Sequence, residues 1–171
     1  MPATDAATGR ATYFSKYDIV RDDYRAVMAS CALPGFCRPV KVGDRYYYDG
    51  GVADSIPLHH AIEHGCTKMV VILSNPRDFV KKPEAHRPLY KHMLHKYPKT
   101  IQSIDNRHIN YQASINLACR LEKEGYVFIF APSRHMPLST FSKDAALEQD
   151  LYDLGVADYE ARAEELKHFL N

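Results

Sequence analysis

Asp49 is the residue of this chain whose type and setting best suit chemistry. It follows a strand-like run at residues 45–48 and precedes Gly50 and Gly51. A carboxylate at a strand end is a candidate general base, and functional groups of α/β proteins gather at such ends. The two glycines let the backbone turn through conformations closed to other residues and leave open space beside the carboxylate. The bland alternative is a plain turn, because Asp-Gly is a common turn pair. Local features leave both readings open and favour the turn.

Other chemistry-bearing groups read as structural. His60 with His64, and His92 with His95, each put two imidazoles on one helix face, as a zinc site requires. Neither pair has a third ligand nearby, so we read surface histidines and no metal. His108 reads as a hydrogen-bonded core residue. Cys31, Cys37, Cys66 and Cys119 form no Cys-x-x-Cys pair and read as reduced thiols. Tyr46, Tyr47 and Tyr48 alternate across a strand, so they pack on two faces rather than forming a ligand platform.

The elements that position Asp49 follow from turn and period signals. Thr8-Gly9 is a turn before a short strand at residues 11–14. Asp22 or Asp23 caps a helix running to about Ser30, stopped by Pro34-Gly35. Strand-like runs at 38–42 and 45–48, joined by Gly43-Asp44, read as a hairpin. Pro57 opens a short helix that ends at Gly65. Residues 68–73 are a continuous apolar run, and helix followed by such a strand is the pattern of a sheet covered on both faces. Ile101, Ile104, His108, Tyr111, Ile115 and Ala118 share one face of a long helix, which Gly125 ends. A second buried strand spans 126–130. In the tail, Val156, Tyr159, Ala163, Leu166 and Leu170 mark the inner face of another helix. There is no internal repeat, low-complexity tract or flexible linker.

A length of 171 residues suits one domain, and the hydrophobic and charged fractions are those of an ordinary globular chain. Such a chain buries a core without disulfides. A formal net charge of +1 leaves no basic footprint for nucleic acid. The first residues lack the basic stretch and apolar run of a signal peptide, and no apolar run is long enough to span a bilayer. The expected location is therefore the cytoplasm. Charge is uneven along the chain. Residues 77–100 hold seven Lys or Arg against two acids, a balance of +5, and residues 144–167 hold eight acids against two bases, a balance of −6. The basic stretch either touches anionic lipid headgroups or is a solvated helical face answered by an acidic partner helix; the second is the plainer reading.

The wider segment around Asp49 closely resembles the second half of patatin-like phospholipases. The resemblance rests on Ala29, Ser30, Ala32, Leu33, Pro34, Gly35 and Phe36, then Pro39 and Val40, Gly43 and Tyr47, Asp49 to Val52, and Ile56 with Pro57. Thr4, Asp5, Thr8 and Gly9 look like the family's strand just upstream. The match is specific across residues 4–75; beyond Pro76 it is one of general pattern, closest to the bacterial branch.

The resemblance implies an α/β fold: part of a three-layer α/β/α sheet domain at residues 1–75, with a mostly helical extension at 76–171 holding one buried strand. It implies hydrolysis of acyl esters in lipids by a Ser-Asp dyad, without a metal or organic cofactor. Asp49 carries over as the general base, with Gly50, Gly51, Pro34 and Gly35 as motif support. The substrate would be a glycerolipid or phospholipid met at a membrane or micelle surface, and the protein could sit against the inner membrane. Two family parts have no counterpart here. The eight glycines contain no Gly-x-Ser-x-Gly nucleophile turn and no glycine-rich oxyanion loop; both are expected upstream of Met1. Ser30 reads as part of a helix end, and Ser55, where many relatives have Asn, as the cap of the next helix; neither reads as a nucleophile. The chain alone is therefore expected to be inactive. The rival expectation is a non-catalytic module that associates with another chain, or with itself, through a sheet edge left open.

Overall fold

The computed structural model describes residues 1–137 and 143–171. The fold is α/β, and its packing divides the chain into two compact units. The first is made of residues 1–57 and 81–115, and the second of residues 58–80 and 116–171. Packing therefore cuts the chain differently from the sequence boundary near residue 75, because residues 81–115 fold back with the first 57.

The first unit is a four-stranded antiparallel sheet between helices. β1 (Pro2–Asp5), β2 (Ala11–Tyr13), β3 (Val40–Val42) and β4 (Arg45–Asp49) stand in the order β2-β1-β4-β3. The β3–β4 hairpin forms where expected, with Gly43 at φ 58° in its turn. The β1–β2 turn is held by Asp5, whose Oδ1 accepts from the backbone N–H of Ala7 and Thr8 and from the Thr8 hydroxyl. Burial works to raise the Asp5 pKa, but these hydrogen bonds and the Arg45 guanidinium 3.1 Å away outweigh it and bring the net value below the ordinary one.

Successive residues of β4 face opposite ways. Tyr47 packs with Ala3, Phe14 and with Ala26 and Ala29 of α1 (Arg25–Ser30). Tyr48 packs on the other side with Ala6, Val52, Leu94, Ile101 and Ile104. Leu94 is the C-cap of α3 (Arg87–Met93), whose Tyr90 packs against the same cluster, and Ile101 and Ile104 belong to α4 (Pro98–Lys123), whose residues up to Ile115 lie in this unit. The result is a helix–sheet–helix sandwich. α4 is fastened to the β1–β2 turn by Thr100 Oγ1 donating to Ala6 O at 2.8 Å and Ser103 Oγ donating to Gly9 O at 2.7 Å. α1 starts at Arg25, later than a cap at Asp22 or Asp23 would place it. Tyr24 takes the cap position, and Asp23 instead accepts from the Arg25 N–H and pairs with its guanidinium.

The second unit holds α2 (Leu58–Glu63), β5 (Met69–Ile72), β6 (Val127–Phe130) and α5 (Ala145–Leu170). β5 and β6 pair in parallel. Val127 and Ile129 are buried, as expected for β6. β5 departs from expectation. Its burial alternates, and Ile72 is 79% exposed, so one of its faces is uncovered rather than both being covered. An apolar run does not distinguish a strand buried on both faces from one with an open face. Arg77 makes a two-pronged ion pair with Glu122 and donates to Ile129 O at 3.0 Å, while Arg162 donates to the same carbonyl at 2.6 Å and lies 4.4 Å over the Phe128 ring. Of the expected inner face of α5, Ala163 and Leu166 are half-buried and the Tyr159 ring lies 6.0 Å from that of Phe130, while Val156 and Leu170 are exposed; Leu147, Leu151, Leu154, Arg162 and Phe169 are half-buried as well.

Candidate functional site around Asp49

Asp49 ends β4 and starts a tight 3-10 turn at Gly50–Val52. Its backbone is fixed on both sides. The Asp49 N–H donates to Ala32 O at 2.8 Å, and its carbonyl accepts from the Thr4 hydroxyl at 2.7 Å. Thr4 is fully buried in β1, opposite Tyr48, and its Oγ1 also accepts from the Ala53 N–H at 3.2 Å. The half-buried Asp49 carboxylate accepts the Gly51 N–H on Oδ1 at 2.7 Å. Among the described residues that is its one hydrogen bond, and no cation stands within ion-pair distance. One oxygen is thus oriented by the turn, and the other has no hydrogen-bond partner among the described residues.

Of the two reasons expected for the glycines, space applies and backbone conformation does not. Neither has a positive φ. A Cβ on Gly50 would stand 2.3 Å from Pro2 O, so β1 passes too close for any side chain. A Cβ on Gly51 would stand 3.0 Å from Asp49 Oδ1, 3.4 Å from Arg107 Nη2 and 3.9 Å from Ser55 Oγ. Space, not backbone conformation, selects glycine at both positions.

Gly51 is also the meeting point of three elements. Its carbonyl accepts from Ser55 Oγ at 2.6 Å and from Arg107 Nε at 2.7 Å. Among the described residues no N–H of the following helix donates to Ser55 Oγ, so the expected cap is not formed. Ser55 locks the turn after Asp49, and in doing so its hydroxyl proton is already committed. Arg107, on α4, is held in turn by Glu84 at 3.0 Å, and Glu84 by Lys81 at 3.5 Å. Sequence reading passed over Arg107, since no local motif ties a mid-helix arginine to a turn 56 residues away.

The other candidate positions are distributed as follows. Pro34 and Gly35 form a turn in which Cys37 N–H donates to Leu33 O, with Gly35 at φ 87°, a true left-handed position. Ser30 donates to Pro2 O at 2.7 Å and is structural. The His60 and His64 rings are 4.0 Å apart, and His64 Nδ1 contacts His60 O. No group of three or more metal-ligating side chains occurs among the described residues. His108 differs from expectation, because its Nδ1 is buried with no hydrogen-bond partner among the described residues. Tyr47 and Tyr48 pack on opposite faces as expected, and burial pushes the Tyr48 pKa up to about 12. The four cysteines are free thiols. Two hollows of about 510 and 330 Å³ lie elsewhere, one lined by Arg77, Phe130 and Arg162, the other by Asp5, Arg45 and Tyr97; Asp49 lines neither.

Residues 4–62 match the patatin-like phospholipase family. The match lies in the N-terminal part of the chain and includes Asp49, Gly50 and Gly51. It ties the segment to a family of lipid hydrolases. Residues 97–171 match a second family, described as a domain of unknown function, DUF6363. The chain is also similar to the uncharacterised protein YjjU of Escherichia coli strain K12, with 37% identity over 59 residues. The aligned stretch is 34% of this chain and 16% of that protein, so the chain covers only a small part of this relative. Arg107 belongs to the DUF6363 stretch and Gly51 to the patatin-like one, so the two family segments share the turn after Asp49. No helix among the described residues is long and apolar enough to cross a membrane.

Proposed function

We propose that this chain supplies the aspartate half of a lipid acyl hydrolase, corresponding to the C-terminal half of the patatin-like domain. Asp49 acts as general base, taking the proton from a serine hydroxyl as it attacks an ester carbonyl. The serine and its oxyanion donors come from another stretch of polypeptide carrying Gly-x-Ser-x-Gly, a spacing absent from these 171 residues. The substrate is a glycerolipid or phospholipid ester met at a membrane or micelle surface, and neither metal nor organic cofactor takes part. The carrying observation is the carboxylate itself: Oδ1 is oriented by the Gly51 N–H, and no ion pair consumes its charge among the described residues. A structural aspartate is more often spent as Asp5 is, on three donors and an arginine.

The test is hydrolysis of a nitrophenyl ester and of a phospholipid, by the chain alone and after mixing with a patatin-like polypeptide bearing Gly-x-Ser-x-Gly. We expect no turnover alone and turnover in the mixture that falls about 10²- to 10⁴-fold in Asp49→Asn, the usual range for a lost general base. Turnover by the chain alone that disappears in Asp49→Asn would reveal a serine of this chain as nucleophile. A mixture whose activity survives Asp49→Asn undiminished would end the general-base reading.

A second reading is a non-catalytic module that associates with another chain or with itself. It is favoured by β5, which pairs with β6 alone among the described strands and carries exposed Val70 and Ile72. Size-exclusion chromatography tests the self-associating form: a monomer that persists at every concentration removes it.

A further inference from the structure

We propose that the outward face of α3, continued by the turn at Leu33–Cys37, docks on an anionic lipid bilayer. The proposal rests on the hydrolase reading only for its purpose; the binding itself does not require Asp49.

The charge pattern comes first. Of the seven basic residues at 77–100, three are answered by acids: Arg77 by Glu122, Lys81 by Glu84 and Arg87 by Asp105. None of those acids lies in the acidic 144–167 stretch. Lys82, Lys91, Lys96 and Lys99 remain, all exposed and without a carboxylate in ion-pair distance among the described residues. No Asp or Glu occurs between residues 85 and 99, nor between 24 and 43.

Packing then decides which way this segment faces. Tyr90 and Leu94 turn into the core, which leaves Leu89, Lys91, Met93 and Lys96 outward. Leu89 is 60% and Met93 49% exposed. Met93 Sδ would lie 3.9 Å from a Cβ on Gly35, so the Leu33–Cys37 turn adjoins this face, and Phe36 at its tip is 73% exposed. Ala32, at the base of the same turn, accepts the Asp49 N–H. The face therefore runs on, through four residues of backbone, to the carboxylate.

A bilayer fits this surface better than a protein partner does. The arginines of the basic stretch, Arg77 and Arg87, are already spent in two-pronged carboxylate pairs. What is left is lysine, a mobile point charge suited to a diffuse field of headgroups rather than to one planar acceptor. Interspersed Leu, Met and Phe supply the apolar contact that shallow interfacial insertion needs.

The experiment is co-sedimentation of the full chain with phosphatidylcholine vesicles, with and without phosphatidylglycerol. We expect binding only to the phosphatidylglycerol vesicles, weakened by salt as exposed charge interactions are. Lys91→Glu and Lys96→Glu should each weaken it by about fivefold or more, and Phe36→Ser should weaken it at low salt, where charge is unscreened. Lys123→Glu, exposed but on the last turn of α4, should bind as wild type. Asp49→Asn should also bind as wild type while losing any complemented hydrolysis, which separates this proposal from the catalytic one. Failure to bind phosphatidylglycerol vesicles, or binding indifferent to Lys91, Lys96 and Phe36, overturns it. So does salt-sensitive self-association in their place, which would assign the face to the acidic α5 of a second copy.

Discussion

Arg107 Nε donates to the carbonyl oxygen of Gly51 at 2.7 Å, across 56 residues of sequence. The bond is charge-assisted and partly buried, and its guanidinium is pinned from behind by Glu84. It makes a helix of one family segment part of the wall of the turn in the other. Arg107→Ala should cost about 1–3 kcal/mol in urea unfolding, the range for a hydrogen bond to a charged group. Arg107→Lys should recover little, because one ammonium cannot serve Gly51 and Glu84 at once. A double-mutant cycle with Glu84→Gln should show coupling of about 0.5 kcal/mol or more; strict additivity would mean the two side chains act separately.

Glycine 50 and glycine 51 should behave differently when given a methyl group. Gly50→Ala drives Cβ against the Pro2 carbonyl, which cannot move without breaking the β1–β4 ladder. A loss of about 2 kcal/mol or more is expected. Gly51→Ala meets first the Asp49 carboxylate, the end of Arg107 and Ser55, all side-chain atoms, so it should fold with a smaller loss while displacing the carboxylate and reducing any complemented hydrolysis. Equal stability of the two variants would contradict the close approach of β1.

Gly9 gives a third contrast. It combines φ 67° with a Cβ position 2.4 Å from Lys99 O, where α4 rests on the β1–β2 turn. Gly9→Ala should therefore lose more than Gly43→Ala, which is also at positive φ but has open space around it. Thermal melts of the two variants side by side check this.

Alkaline pH should act through Tyr48. Its pKa is raised by burial from the usual 10.0 to about 12. A raised folded value means the fold keeps the phenol neutral, so this stabilisation is fully present below pH 10 and is lost as pH rises from about 10 to 12. A shift of that size amounts to about 2–3 kcal/mol at most. Tyr90, raised to about 12 by burial and by its bond to Asp105, acts in the same window. The urea midpoint should fall between pH 9 and 12, and less steeply in Tyr48→Phe.

Acid should act through Asp5, whose net pKa is lowered by its three donors and Arg45 against the opposing effect of burial. A lowered folded value contributes stability above the unfolded carboxylate pKa that disappears as pH falls through the folded one. Asp5→Ala should cost about 2 kcal/mol at neutral pH through its unpaired turn N–H groups, and the penalty should shrink in acid. A penalty unchanged by acid would mean that the carboxylate's charge contributes nothing.

By itself the sequence determined what local rules govern. The Gly43-Asp44 hairpin, the helix through Ile101, Ile104 and Ile115, the buried strand ending at Phe130, and the candidate carboxylate at Asp49 all follow from turn chemistry, period or motif. It could not determine which face each element would show its neighbours. Nothing in the period of α5 says that Arg162 meets the Ile129 carbonyl and the Phe128 ring, nor does the apolar run of β5 say that Val70 and Ile72 stay exposed. The reason Gly50 must be glycine lay in Pro2, 48 positions away, and the anchor of Gly51 lay in Arg107. Hydrophobic pattern sets which residues leave water; only the tertiary arrangement sets which carbonyl, guanidinium or strand they then meet. That is why a candidate at position 49 could be named from the chain, while the Ser55 and Arg107 bonds that hold its turn, and which lysines in and around α3 lack an ion pair, could not.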